Sequence, residues 1–225
     1  MLHIPLFYPS PGIRVSNTPG AVDEATATTA LYLILSTLRH FSKAERSLCA
    51  GTWKTPIASG DTHDLSTRTL GILGLGGIGL HLAHLVHPFP MRVVYHNRHR
   101  VADAPAWCTY VDGVEALCRE ADVLSVHVPL KSDTVHLVGE KEIRALKRGS
   151  IIVNTARGRV IDEAAMIRAL EDGHVCVYFF SCFVLGSRRL MDVDHIFLHC
   201  TSIGWVDRGM DGPVVVGICR SGRVS

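Results

Sequence analysis

Three glycines at positions 74, 76 and 79 stand in the G-x-G-x-x-G spacing within TLGILGLGGIGLHLAHLV, residues 69–86. The chemistry such a spacing serves is the binding of a pyrophosphate. The first glycine permits a tight turn, the second lets backbone approach the phosphates, and the third lets a helix pack closely on a strand. A helix beginning near Gly77 would aim its unpaired N–H groups and positive dipole end at the phosphates, so Gly77 and Ile78 join Gly74, Gly76 and Gly79 as candidate ligands. An ordinary glycine-rich turn has the same spacing. The context separates the two readings, because the apolar run Leu70–Leu75 precedes the turn and a second strand follows at Met91–Tyr95.

The residue after the second strand selects between two cofactors. A carboxylate there would accept the adenine ribose hydroxyls and favour NAD, whereas a neutral residue followed by arginine leaves room and charge for a 2′-phosphate. Here Asn97 is followed by Arg98, His99 and Arg100, and the reading is NADP in preference to NAD. A solvated basic loop without a ligand is the competing explanation.

Other chemistry-bearing residues point to less. His81, His84 and His87 recur every third residue after the glycine turn. Helix geometry turns Ile78, Leu82, Leu85 and Val86 toward the sheet, so these histidines read as a solvated face and not as metal ligands. His127 and His136 read as buried, hydrogen-bonded histidines outside the catalytic set. Seven cysteines form no C-x-x-C pair or zinc spacing and read as reduced thiols of a cytoplasmic protein; no metal site is expected.

The elements that must carry these residues alternate. After a loop ending at Gly20, residues 22–40 form a long helical pattern, and 42–68 look like a connecting arm. Strands at 70–75, 91–95, 122–128 and 150–154 then alternate with helices at 77–87, 113–119, 139–147 and 162–172, with Asp162 as N-cap and Gly173 as terminator. This order predicts an α/β fold, a Rossmann-type doubly wound parallel sheet. The reading assigns residues 21–180 to an NAD(P)-binding domain, 1–20 to a remnant of a second domain and 181–225 to a divergent tail. After His174 the uncharged, aromatic run VCVYFFSCFVLG and the Gly- and Arg-rich residues beyond it yield no assignable helix or orderly sheet.

Composition narrows the class. With 225 residues, 47% hydrophobic and 20% charged, the chain can bury one sizeable core, and a net charge of +2 gives no reason to expect nucleic acid. The amino terminus lacks a basic n-region and is interrupted by Pro5, Pro9 and Pro11, which argues against a secretory signal. The uncharged stretch Ala25–Leu38 is too short to span a bilayer and reads as a buried interdomain helix.

Taken together, SNTPGAVDEATATTALYLIL, GILGLGGIG, VVYHNR and the run from ADVLSVHVPLKSD to NTARGRVIDEAAMIRALEDG resemble the D-isomer-specific 2-hydroxyacid dehydrogenases. The resemblance covers roughly residues 13–174, and YHNR is similar to the NADP-using glyoxylate and hydroxypyruvate reductases within that family. It implies that Gly76–Gly79 hold the pyrophosphate and that Asn97 and Arg98 meet the adenosine end. Val128 and Pro129 line the nicotinamide side, Thr155 and Ala156 approach the cofactor, and Arg157 is both cofactor-adjacent and the catalytic substrate arginine. Reducing a 2-oxo acid calls for such a planar cation, which clamps a carboxylate and polarises the ketone. The implied partners are a small 2-oxo or 2-hydroxy acid and a second copy of the chain, docked through residues 22–60.

Two family motifs are not matched. The place of the glutamate that tunes the catalytic histidine is taken by about Gly186, and the P-H-x-G segment has no counterpart, since His199 sits between Leu198 and Cys200. The alternative to an active reductase is therefore a truncated relative that binds dinucleotide without efficient turnover.

Overall fold

The computed structural model describes residues 19–52, 62–180 and 196–198. The chain enters through helix α1 (Asp23–Leu38), which carries Asp23 and Glu24 at its positive end, and turns at His40 into α2 (Phe41–Cys49). The turn uses a left-handed conformation at His40, φ +53°. The first part of the segment read as a connecting arm, residues 42–68, is therefore helical. Alternation then begins: β1 (Thr69–Leu73), α3 (Gly77–Val86), β2 (Arg92–His96), β3 (Cys108–Tyr110), α4 (Val114–Glu120), β4 (Val123–Val126), α5 (Glu140–Ala145), β5 (Ser150–Asn154), α6 (Glu163–Glu171), β6 (Val175–Phe180) and β7 (Ile196–Leu198).

Among the described residues the sheet has seven strands in the order β3-β2-β1-β4-β5-β6-β7, every pair parallel. β1 and β4 run side by side although β2 and β3 separate them in sequence, so the strand order reverses between them. Ligands of open α/β sheets bind at the carboxyl ends of strands at this kind of switch point.

Burial on both faces explains why β1, β4 and β5 read as continuous apolar runs; every residue of each is buried. Leu70 and Ile72 of β1 pack with Leu33 and Ile34 of α1 and Leu82 and Val86 of α3. Leu73 faces the other layer, with Leu117 of α4, Ile143 of α5 and Met166 of α6. Asp162 caps α6 as its sequence position implies, its Oδ1 accepting the N–H groups of Ala164 and Ala165 at 3.0 and 3.1 Å. Gly173 follows with φ +68°.

Strands β3, β6 and β7 escape the sequence pattern. β3 has only three residues, and β6 falls in the aromatic run that yields no assignable sheet, yet it pairs with β5 from Val175 to Phe180. β7 extends the sheet into the segment read as a divergent tail. The expectations for residues 1–18, for about Gly186 and for His199 lie outside the described residues.

At the amino end of the strands, Asp122 accepts the backbone N–H of Thr69 at 2.8 Å and the Lys147 ammonium at 3.1 Å, which ties the starts of β1, β4 and β5 together. The carboxyl end is left open for chemistry.

Candidate functional site

At that end β1 turns sharply. Gly74 has φ +99°, and a Cβ there would meet Val128 Cγ1 at 3.0 Å and the His127 carbonyl carbon at 3.1 Å, so a side chain would be strained and crowded at once. Gly79 stands inside α3 with the Gly74 carbonyl oxygen 2.4 Å from where a Cβ would be. This is the close helix–strand approach that the third glycine of the motif permits. Gly76 differs, with no atom within 4 Å of its Cβ direction. Having no side chain to cap α3, it leaves the first-turn N–H groups of that helix to other partners. Beside Gly77 stands the Asp23 carboxylate of α1, which occupies the space a side chain at 77 would need.

A cleft of about 440 Å³ opens over this turn. Six of the sequence-predicted site residues line it: Gly74, Gly76, Asn97, Arg98, Val128 and Pro129. Leu73, His96, His99, Val114, His127, Lys131, Asp133, Thr134 and Leu137 complete the wall. Of the polar members of that second group, the sequence marks His99 only as part of a basic loop and His127 only as a buried histidine; His96, Lys131, Asp133 and Thr134 carry no mark there, and their place at the ends of β2 and β4 reveals them. A dinucleotide fits this donor set: a glycine turn without a capping side chain, apolar Val128 and Pro129 on one wall, and the cation of Arg98 at the rim.

The remaining predicted residues are placed beside the cleft and not within it. Gly77, Ile78 and Gly79 form the first turn of α3, with the Ile78 side chain packed against the α1 and α3 layer. Thr155, Ala156 and Arg157 follow β5, one strand beyond β4. Buried Asn154 shapes their turn: its Oδ1 accepts the Ala156 N–H at 3.0 Å and its Nδ2 donates to the Arg157 carbonyl at 3.0 Å. Arg157 itself is exposed, and its Nη1 donates to the Ala156 carbonyl at 2.8 Å.

His127 links the two strand ends. Its Nε2 lies 2.8 Å from Ser125 Oγ and its Nδ1 3.3 Å from Thr155 Oγ1. Burial lowers its imidazole from 6.5 to about 4, so it is neutral at neutral pH and a poor source of protons. The expectation of a hydrogen-bonded histidine thus holds for His127. It fails in part for His136, which is exposed and left-handed, φ +53°, with its backbone N–H bonded to the Arg159 carbonyl at 2.9 Å.

The α3 histidines also have company. His87 stacks on Trp107 with centroids 4.2 Å apart, His84 meets the same indole edge-on at 5.5 Å, and His81 Nδ1 lies 2.8 Å from the Gly77 carbonyl oxygen. No group of three or more His, Cys, Asp or Glu among the described residues could hold a metal ion. Burial pushes the Cys108 and Cys118 thiols up to about 11 and about 12, which removes both as thiolate nucleophiles. No helix among the described residues is long and apolar enough to cross a membrane.

The family model for the NAD binding domain of the D-isomer specific 2-hydroxyacid dehydrogenases matches residues 31–183. The chain belongs to that family. Glyoxylate reductase 1 of Saccharomyces cerevisiae is 42% identical over 168 residues, covering 72% of this chain and 48% of the relative. The glyoxylate reductase of Thermococcus litoralis is 39% identical over 171 residues, covering 73% and 51%. Among solved structures, a glyoxylate reductase from Paecilomyes thermophila superposes with a TM-score of 0.75 at 37% identity, covering 83% of this chain and 57% of that one. The chain spans about half the length of the curated relatives it matches.

Proposed function

We propose that this chain binds a nicotinamide dinucleotide, NADP in preference to NAD, and belongs to a reductase that interconverts a small 2-oxo acid, such as glyoxylate or hydroxypyruvate, with its D-2-hydroxy acid. The observation that carries the cofactor reading is the end of β2, where Asn97 and Arg98 line the cleft and no carboxylate occupies the position that would take the ribose hydroxyls. The glyoxylate reductases among the relatives support the substrate class. Gly74, Gly76, Gly77, Ile78 and Gly79 would meet the pyrophosphate through backbone, and Val128 and Pro129 the nicotinamide side.

The cofactor supplies a hydride to the carbonyl carbon when bound. Arg157 would hold the substrate carboxylate and stabilise the negative charge that develops on the ketone oxygen as the carbonyl carbon accepts the hydride, and the resulting alkoxide would then take its proton from solvent water. Thr155 and Ala156, on the turn fixed by Asn154, set the distance between that guanidinium and the cofactor. A homodimer through α1 and α2 is part of the same reading. Tyr32, Phe41 and Leu48 leave more than half of their surface exposed there, and light scattering that finds only monomer would remove it.

The second reading, dinucleotide binding without efficient turnover, is favoured by the glycine at the place of the tuning glutamate and by the missing P-H-x-G segment. General acid catalysis is typically worth roughly 10²–10⁴-fold in rate. Calorimetric titration with NADPH and NADH, followed by glyoxylate and hydroxypyruvate with loss of nicotinamide absorbance, separates the readings. Turnover supports the reductase, binding alone supports the second reading, and a folded sample that binds neither nucleotide defeats both.

A further inference from the structure

Arg98, just after β2, and Asp133, in the loop after β4, form an ion pair with Nη1 and Oδ2 3.1 Å apart. β1 lies between β2 and β4 in the sheet, so the pair reaches from one side of the Gly74–Gly76 turn to the other, and both residues line the same cleft. The loop that carries Asp133 is held by its own bonds. Thr134 Oγ1 donates to the Pro129 carbonyl at 2.7 Å and accepts the Lys131 N–H at 2.7 Å, while the Thr134 N–H bonds the Lys131 carbonyl at 3.1 Å. The backbone next to Asp133 is therefore set by the fold, and the carboxylate is directed to Arg98 by the ion pair.

Resting on the dinucleotide reading above, we propose that Asp133 is a specificity-determining residue of the cleft. It is the counter-ion that a ribose 2′-phosphate must displace from Arg98, and its charge lowers the preference for the phosphorylated cofactor. The two side chains are 74% and 51% exposed, so the pair is weak enough to open. A phosphate dianion offers Arg98 a stronger, bidentate partner than a single carboxylate oxygen. Once displaced, Asp133 remains on its fixed loop within reach of that dianion and repels it. NAD places a neutral hydroxyl at the same point, and Arg98 keeps its pair. The charge at position 133 thus acts on one cofactor and leaves the other alone.

The test is Asp133→Asn, which keeps the shape and removes the charge. Wild type and variant are titrated by calorimetry with NADPH, NADH and adenosine 2′,5′-bisphosphate. NADPH and the bisphosphate should tighten by roughly three- to tenfold, with NADH unchanged within about twofold, as expected for one charge acting on a surface phosphate. The gain should shrink in about 0.5 M salt, where surface charges are screened. A ratio of NADPH to NADH affinity that does not move overturns the inference. So does a loss of NADH binding, which would make Asp133 an acceptor for the ribose hydroxyls. Both of those results leave the dinucleotide reading standing, whereas a folded wild type that binds none of the three ligands overturns both.

Discussion

Asn97 Oδ1 accepts the backbone N–H of Leu75 at 2.6 Å, and the Nδ2 of the same amide reaches the Leu75 carbonyl at 3.4 Å. The residue that the sequence marks as a cofactor reader is also the clip that fastens the glycine turn to the end of β2. Asn97→Ala removes both bonds and is expected to cost about 1–2 kcal/mol of folding stability. Because the turn serves either cofactor, NADPH and NADH affinity should fall together. Urea denaturation and calorimetry check the two halves of this expectation.

Arg98 should behave differently. Arg98→Ala is expected to weaken NADPH binding by about tenfold, the scale of one lost charge-assisted hydrogen bond, with little change for NADH. Side-by-side titrations measure the ratio. An equal loss for both nucleotides would remove the reason for preferring NADP.

Gly79→Ala tests the glycine turn without any ligand. The new methyl would stand 2.4 Å from the Gly74 carbonyl oxygen and 3.0 Å from Ile72 Cγ2, and the first of these belongs to backbone that cannot give way cheaply. The expected destabilisation is about 1–3 kcal/mol, the usual cost of overpacking. A urea midpoint unchanged from wild type would show that α3 can move off β1.

His127 gives the fold an acid-sensitive point. Its pKa is about 4 in the folded chain against 6.5 for the unperturbed imidazole. Below pH 6.5 the unfolded chain binds a proton that the folded chain refuses, so stability is complete above that pH and declines as the pH falls toward 4. For His127 alone the decline amounts to about 3 kcal/mol at pH 4. His127→Gln should lose less stability than wild type between pH 7 and pH 4 by about that amount, measured by urea denaturation at both values. Parallel profiles for the two proteins would place the sensitivity elsewhere.

Much of this site was legible before any coordinates. Gly74 and Gly79 are readable because backbone geometry at a strand–helix turn excludes side chains there, and the sequence records the exclusion directly; Gly76 is readable through its spacing between them. Asp162 is readable for a similar local reason, since an N-cap bonds within its own first turn. Asp133, Asn154 and His127 carry no such mark. Asp133 acquires meaning only because β1 inserts between β2 and β4 and brings it to Arg98 across 35 positions. Asn154 matters through a turn that its own amide closes, and His127 through neighbours on two strands.

Strand β6 shows the same division. Its run of valine, cysteine and aromatic residues has no alternation of polar and apolar positions, and only pairing with β5 identifies it. The sequence alone determined the α/β class, the glycine turn, the cap of α6 and the family, all consequences of local backbone chemistry or of long matching segments. The tertiary structure decided which loops meet over that turn, which cation faces which carboxylate and which histidine is kept neutral. Those properties depend on through-space distance and on exclusion of water, and neither is fixed until the sheet order is.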